Sequence, residues 1–100
     1  MSVEAILLEA IQRKRCISAT YNRKGAILAP HALFERHGDL FLRAVTVELD
    51  GAKPREPKLG TFKLAGLHGV ELTRKLFRPQ AEMVQSLAGN DFETVLVRVA

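Results

Sequence analysis

The chain has 100 residues, 47% of them hydrophobic and 26% charged, with a formal net charge of +4. That length suits one domain, and that hydrophobic share excludes the composition of a disordered chain. No apolar run approaches the roughly 20 residues that cross a bilayer, so a membrane-spanning chain is not expected.

The opening Met-Ser-Val-Glu-Ala lacks the basic region and long apolar stretch of a secretory signal. Cys16 is the one cysteine, which rules out an internal disulfide and fits a reducing, cytoplasmic address. The positive charge is concentrated. Between Ala52 and Arg78 seven cations (Lys53, Arg55, Lys58, Lys63, Arg74, Lys75 and Arg78) face only Glu56 and Glu71, while Glu82, Asp91 and Glu93 make the end acidic. Such a field attracts anionic partners, or simply forms a solvated face that keeps the protein soluble.

Val3, Ile6, Leu7, Ala10 and Ile11 recur at the helical period, with Ser2 as N-cap and Arg13, Lys14 and Arg15 at the C-terminal end. The period then changes to two: Ile17, Ala19 and Tyr21 alternate with Cys16, Ser18 and Thr20, and Asn22 to Gly25 reads as a turn. The run Ala26 to Glu35 contains Pro30, which predicts an edge strand, bent or bulged at that point. A turn at His37-Gly38-Asp39 leads into a long strand, Leu40 to Leu49. Asp50 to Gly60 is a loop, followed by strands over Thr61–Leu64 and Val70–Phe77. Pro79 to Gly89 predicts a second helix and Phe92 to Val99 a last strand, with Val95, Val97 and Val99 on one side. The expected fold is mostly β (α+β): a small antiparallel barrel over about 15–78 with an N-terminal helix and a helix-strand extension over 79–100, all one domain.

The catalytic and metal signatures are missing. His31, His37 and His68 are scattered without a second cysteine, so zinc spacing is absent. Gly66-x-x-Gly69 lacks the lysine-serine ending of a phosphate loop, and the carboxylates form no acid/base pair. Cys16 in a strand reads as a small packing residue. The expectation is therefore a binding protein without cofactor or metal, not an enzyme. Candidate binding groups are polar residues on strands: Ser18, Tyr21, His31, Arg43 and Lys63. Each also has a structural reading. Lys63 and Arg43 suit the wet outer face of a sheet, Tyr21 a core residue with a solvated hydroxyl, and His31 a buried structural histidine.

Taken in order, these segments resemble the WYL domain of bacterial transcription regulators, over about residues 3–79. The opening helix Ala5 to Ile11, the strand ending in Tyr21, and Ile27-Leu28-Ala29-Pro30 follow its pattern. Gly38-Asp39-Leu40-Phe41-Leu42 stands where Gly-x-Trp-Tyr-Leu would. Phe62-Lys63-Leu64-Ala65-Gly66-Leu67 is similar to Phe-Arg-Leu-Asp-Arg-Ile, and Leu76-Phe77-Arg78-Pro79 to the closing Phe-x-Pro.

The resemblance implies an SH3-like, Sm-like barrel with a basic pocket for a regulatory ligand, nucleic acid or nucleotide-like. By position it points to Tyr21 and to Lys63, which replaces an arginine. Ala26, Gly60 and Gly66 replace further arginines, so the pocket is either reduced or rebuilt from Arg43 and a secondary patch of Arg23, Lys24 and Lys58. The single N-terminal helix leaves no room for the usual helix-turn-helix, so a stand-alone module is expected. Two functions follow. One is a module in transcription-related regulation that binds an anionic small molecule or a single-stranded nucleic acid. The other is a protein–protein or oligomerisation module, as a homodimer or docked on a partner regulator.

Overall fold

The computed structural model describes residues 2–79 and 93–99. Helix α1 spans Val3–Arg13, starting where the Ser2 Oγ accepts the Ala5 N–H at 3.1 Å. It stops two residues earlier than its basic end suggests. Lys14 turns left-handed (φ 56°) and returns its N–H to the carbonyls of Ala10 and Ile11, releasing Arg15 into the first strand.

Six strands follow among the described residues: β1 (Arg15–Tyr21), β2 (Lys24–Arg36), β3 (Asp39–Leu49), β4 (Leu59–Lys63), β5 (Leu67–Leu76) and β6 (Glu93–Arg98). They form one antiparallel sheet in the order β4-β3-β2-β1-β5, with β6 pairing β2. Positive φ values at Asn22 and Arg23, at His37 and Gly38, and at Asp50 and Gly51 mark three tight reversals. Two left-handed central residues match the right-handed twist of the flanking strands, which is why Gly38 and Gly51 stand where they do. β4 and β5 are the two ends of the strand path, joined by a 3-10 turn over Leu64–Gly66. β5 begins three residues before the expected strand, because Leu67 pairs with Tyr21 and is buried.

The edge expectation for the proline-bearing strand is corrected. β2 is central: one side pairs with β3, while the other pairs with β1 up to Leu28 and with β6 from Ala32. Pro30 sits where the partner changes, so its missing N–H removes no ladder bond. The bulge is present. Pro30 faces Ala44 and Ala32 faces Arg43, leaving His31 as the extra residue.

β6 lies within the expected last strand and adds to this chain's own β2, with the Val99 N–H donating to the His31 carbonyl at 2.7 Å. The helix expected over Pro79–Gly89 lies outside the described residues apart from its first residue. Leu7, Ala10 and Ile11 of α1 pack on one sheet face against Ile17, Leu28, Leu42 and Val99. On the opposite face Cys16, Ala29 and Val45 form a smaller cluster with Ile27, Val47 and Phe77. The adjacent pairs Cys16/Ile17, Leu28/Ala29 and Ala44/Val45 are buried on both counts, one residue into each cluster. No helix among the described residues is long and apolar enough to cross a membrane.

Candidate functional site

Strand alternation separates the candidate residues. Ser18 and Tyr21 are three positions apart on β1 and so face opposite sides of the sheet. Ser18 aligns with Ile27 of β2, which aligns with Glu48 of β3, and on its other side with Glu71 of β5. It lines an open depression of about 410 Å³ with Glu48 and Asp50, whose carboxylates oppose an anion.

Arg43 and Lys63 share a face around an aromatic pair. Phe34 and Phe41 are cross-strand partners, with ring centroids 5.4 Å apart and planes 17° apart. The Arg43 guanidinium lies 4.5 Å from the Phe34 centroid, and that of Arg36 lies 5.7 Å from both rings. Lys63 aligns with Phe41 on the next strand, and its Nζ is 3.6 Å from Asp39 Oδ2. Both partners of that pair are about half exposed, so it is a weak surface interaction. Lys58 is exposed just before β4.

His31 is a different kind of residue. It is 2% exposed, its Nδ1 is 2.7 Å from the Ala29 carbonyl, and its ring lies 5.0 Å from that of Phe77. With Nδ1–H donating, Nε2 is an acceptor, and it has no partner among the described residues. Burial holds its pKa below the ordinary 6.5, with the Ala29 hydrogen bond opposing. The unfolded chain therefore takes up the proton first, so stability is full above about pH 6.5 and falls as pH drops below it. Urea midpoints at about pH 7.5 and pH 5.5 check this: wild type loses more stability on acidification than His31→Leu. An equal loss in both would remove His31 from the account.

Tyr21 closes β1 and meets Phe62 of β4 edge to face, with centroids 5.1 Å apart and planes at 65°. Between them and the β1–β2 reversal lies a cavity of about 270 Å³. The strand register assembles its wall: Tyr21 aligns with Lys24, Leu28 with Thr46, and Ala26 with Leu49. Buried Ala26 and Leu28 make the floor, and Asn22, Lys24 and Thr46 supply the polar rim. Among the described residues no carboxylate lines it, and Lys24 gives it positive charge, with Arg23 next in the turn.

The structure thus brings together Tyr21 and Lys24 in one cavity, and Arg43 and Lys63 on another face. Ser18, His31 and Lys58 belong to neither. Asn22 and Thr46 were missed as cavity residues. The turn expected over Asn22 to Gly25 is confined to Asn22 and Arg23, so β2 starts at Lys24 and sets it directly opposite Tyr21. Phe62 reads as an aromatic near basic groups, but nothing local pairs it with Tyr21, because β4 and β1 are not sheet neighbours.

Burial raises the Cys16 pKa, with Lys75 opposing, so the thiol stays protonated at neutral pH. No group of three metal-ligating side chains occurs among the described residues. Compared with protein families, with curated proteins and with solved structures, the chain matches none.

Proposed function

We propose that this chain is a non-catalytic binding module whose ligand is anionic and planar, a nucleotide-like molecule or an exposed base of a single-stranded nucleic acid. One observation carries the reading: an aromatic-walled cavity with Lys24 on its lip and no carboxylate among the described residues that line it. A concave, mostly apolar site with a few convergent polar groups is the usual form of a small-ligand pocket. A base lies against the Tyr21–Phe62 pair, Asn22 and Thr46 offer hydrogen bonds to its edge, and Lys24 with Arg23 holds the phosphate.

The resemblance to WYL domains supports the same residue, since it points to Tyr21. It also supports a finer description of the sheet as a small SH3-type, Sm-like barrel and a role in transcription-related regulation, while the lone Cys16 fits a cytoplasmic setting. The Arg43–Lys63 face is the weaker choice because Asp39 sits beside Lys63.

Fluorescence anisotropy with a labelled oligothymidine and with a labelled adenosine monophosphate tests the proposal. Tyr21→Ala weakens binding by about tenfold or more, the scale of one stacked base. Lys24→Glu weakens it further and reduces the salt dependence by about one phosphate contact. Binding that ignores salt and both substitutions would sink the reading. Self-association is the competing function, motivated by Leu76 and Leu96 lying exposed on strands. A stable dimer in light scattering that Leu76→Asp dissolves would favour it.

A further inference from the structure

The end of β5 carries a second surface, independent of the Tyr21 cavity. A groove of about 350 Å³ runs between the C-terminal end of α1 and the end of β5, lined by Arg13, Lys14, Leu76, Phe77 and Arg78. Leu76 is 70% exposed, the most exposed of the large apolar residues described. Arg74 and Lys75 are exposed directly before it.

This end of the strand is rigidly held. The Phe77 N–H donates to the Lys14 carbonyl at 3.0 Å, tying β5 to the helix cap. Arg15 Nε donates to the Thr73 carbonyl at 2.8 Å, and Thr73 Oγ1 donates to the Cys16 carbonyl at 2.7 Å. These bonds fix the irregular register between β1 and β5 that pushes Arg74 and Lys75 outward. The groove is therefore preformed, with an apolar centre and a cationic rim.

Its charge selects the partner. Among the described residues, the carboxylate paired to the rim is Glu9, 3.4 Å from Arg13 Nε, in a partly exposed contact that an incoming carboxylate can replace. A second copy of the chain would set Arg13, Lys14 and Arg78 against their own counterparts, and like charges reject that pairing. A nucleic acid strand satisfies the rim but not the centre, which offers an exposed leucine and a half-buried phenylalanine rather than an open stacking platform. We propose that this groove docks an acidic peptide segment carrying an apolar anchor side chain that lies against Leu76.

The test uses the full chain and a labelled synthetic peptide of alternating glutamate and leucine. The peptide binds, its serine-for-leucine version binds at least about tenfold more weakly, and its lysine-for-glutamate version does not bind. Leu76→Ser and the double change Arg13→Glu, Arg78→Glu each weaken binding about tenfold or more, while circular dichroism shows an unchanged fold. Tyr21→Ala leaves peptide binding intact, so failure of the cavity reading and failure of this one are separable. Absence of peptide binding overturns the proposal and reduces these cations to guards of an open strand edge. Equal binding of the serine peptide overturns it as well. So does oligothymidine binding that Arg13→Glu, Arg78→Glu abolishes and Tyr21→Ala spares, which would assign the groove to nucleic acid.

Discussion

Phe34→Ala lowers the stability of the fold by about 3–5 kcal/mol, read as a shift of the urea midpoint. Phe34 is 0% exposed and sits on the central strand, aligned with Phe41 of β3 on one side and Val95 of β6 on the other. Truncation removes the ring, leaves a cavity between three strands, and takes away the surface on which the Arg43 guanidinium lies at 4.5 Å. A domain of this size has about 5–15 kcal/mol in total, so the variant approaches marginal folding. Phe34→Leu retains most of the volume and loses less, about 1–2 kcal/mol. Equal midpoints for wild type and Phe34→Ala would mean that the β2–β3 hairpin is not packed as described.

Leu7→Ala acts on the helix. Eleven residues are too few for a helix to persist alone in water, so α1 exists because its apolar face is covered. Leu7 is 0% exposed and shares that face with Ala10 and Ile11. Neighbouring alanine is too small to fill the void, which places the loss at about 2–5 kcal/mol. Leu8, one position on, points outward and is exposed, and Leu8→Ala changes stability by less than about 0.5 kcal/mol. Hydrogen exchange separates local from global effects: α1 amides lose protection in Leu7→Ala before those of β2 and β3 do. Equal losses for the two leucines would contradict the assigned helix face.

Local periodicity and turn chemistry were legible from residues alone. The Ser2 cap, the helix stripe, the alternation of Ile17, Ala19 and Tyr21, and the His37-Gly38 reversal all follow from short-range patterns. What failed depended on distant pairing at Pro30 and on an unusual cap residue at Lys14. Pro30 reads as an edge residue because a proline cannot donate to a ladder, yet the ladder here changes partner at that residue. The helix ends at Arg13 because Lys14 accepts a left-handed conformation that glycine more commonly fills.

The candidate site follows the same division. Alternation correctly separates Lys63 from Phe62, which faces Tyr21. It could not place Ser18 beside Glu48 and Asp50, since the third reversal folds onto the first through the Asp50 N–H bond to the Gly25 carbonyl at 2.7 Å. The Tyr21–Phe62 contact joins strands that are not neighbours, and only the curvature of the whole sheet makes it.

The cavity beside Tyr21 is the centre of this account, and a nuclear magnetic resonance titration of the labelled protein with adenosine monophosphate tests it most directly. The expected result is saturable shifts concentrated at Tyr21, Asn22, Lys24, Thr46 and Phe62, abolished by Ala26→Leu, which fills the floor while the spectrum stays folded. Shifts centred instead on Phe41, Arg43 and Lys63, or none at millimolar ligand, would contradict it.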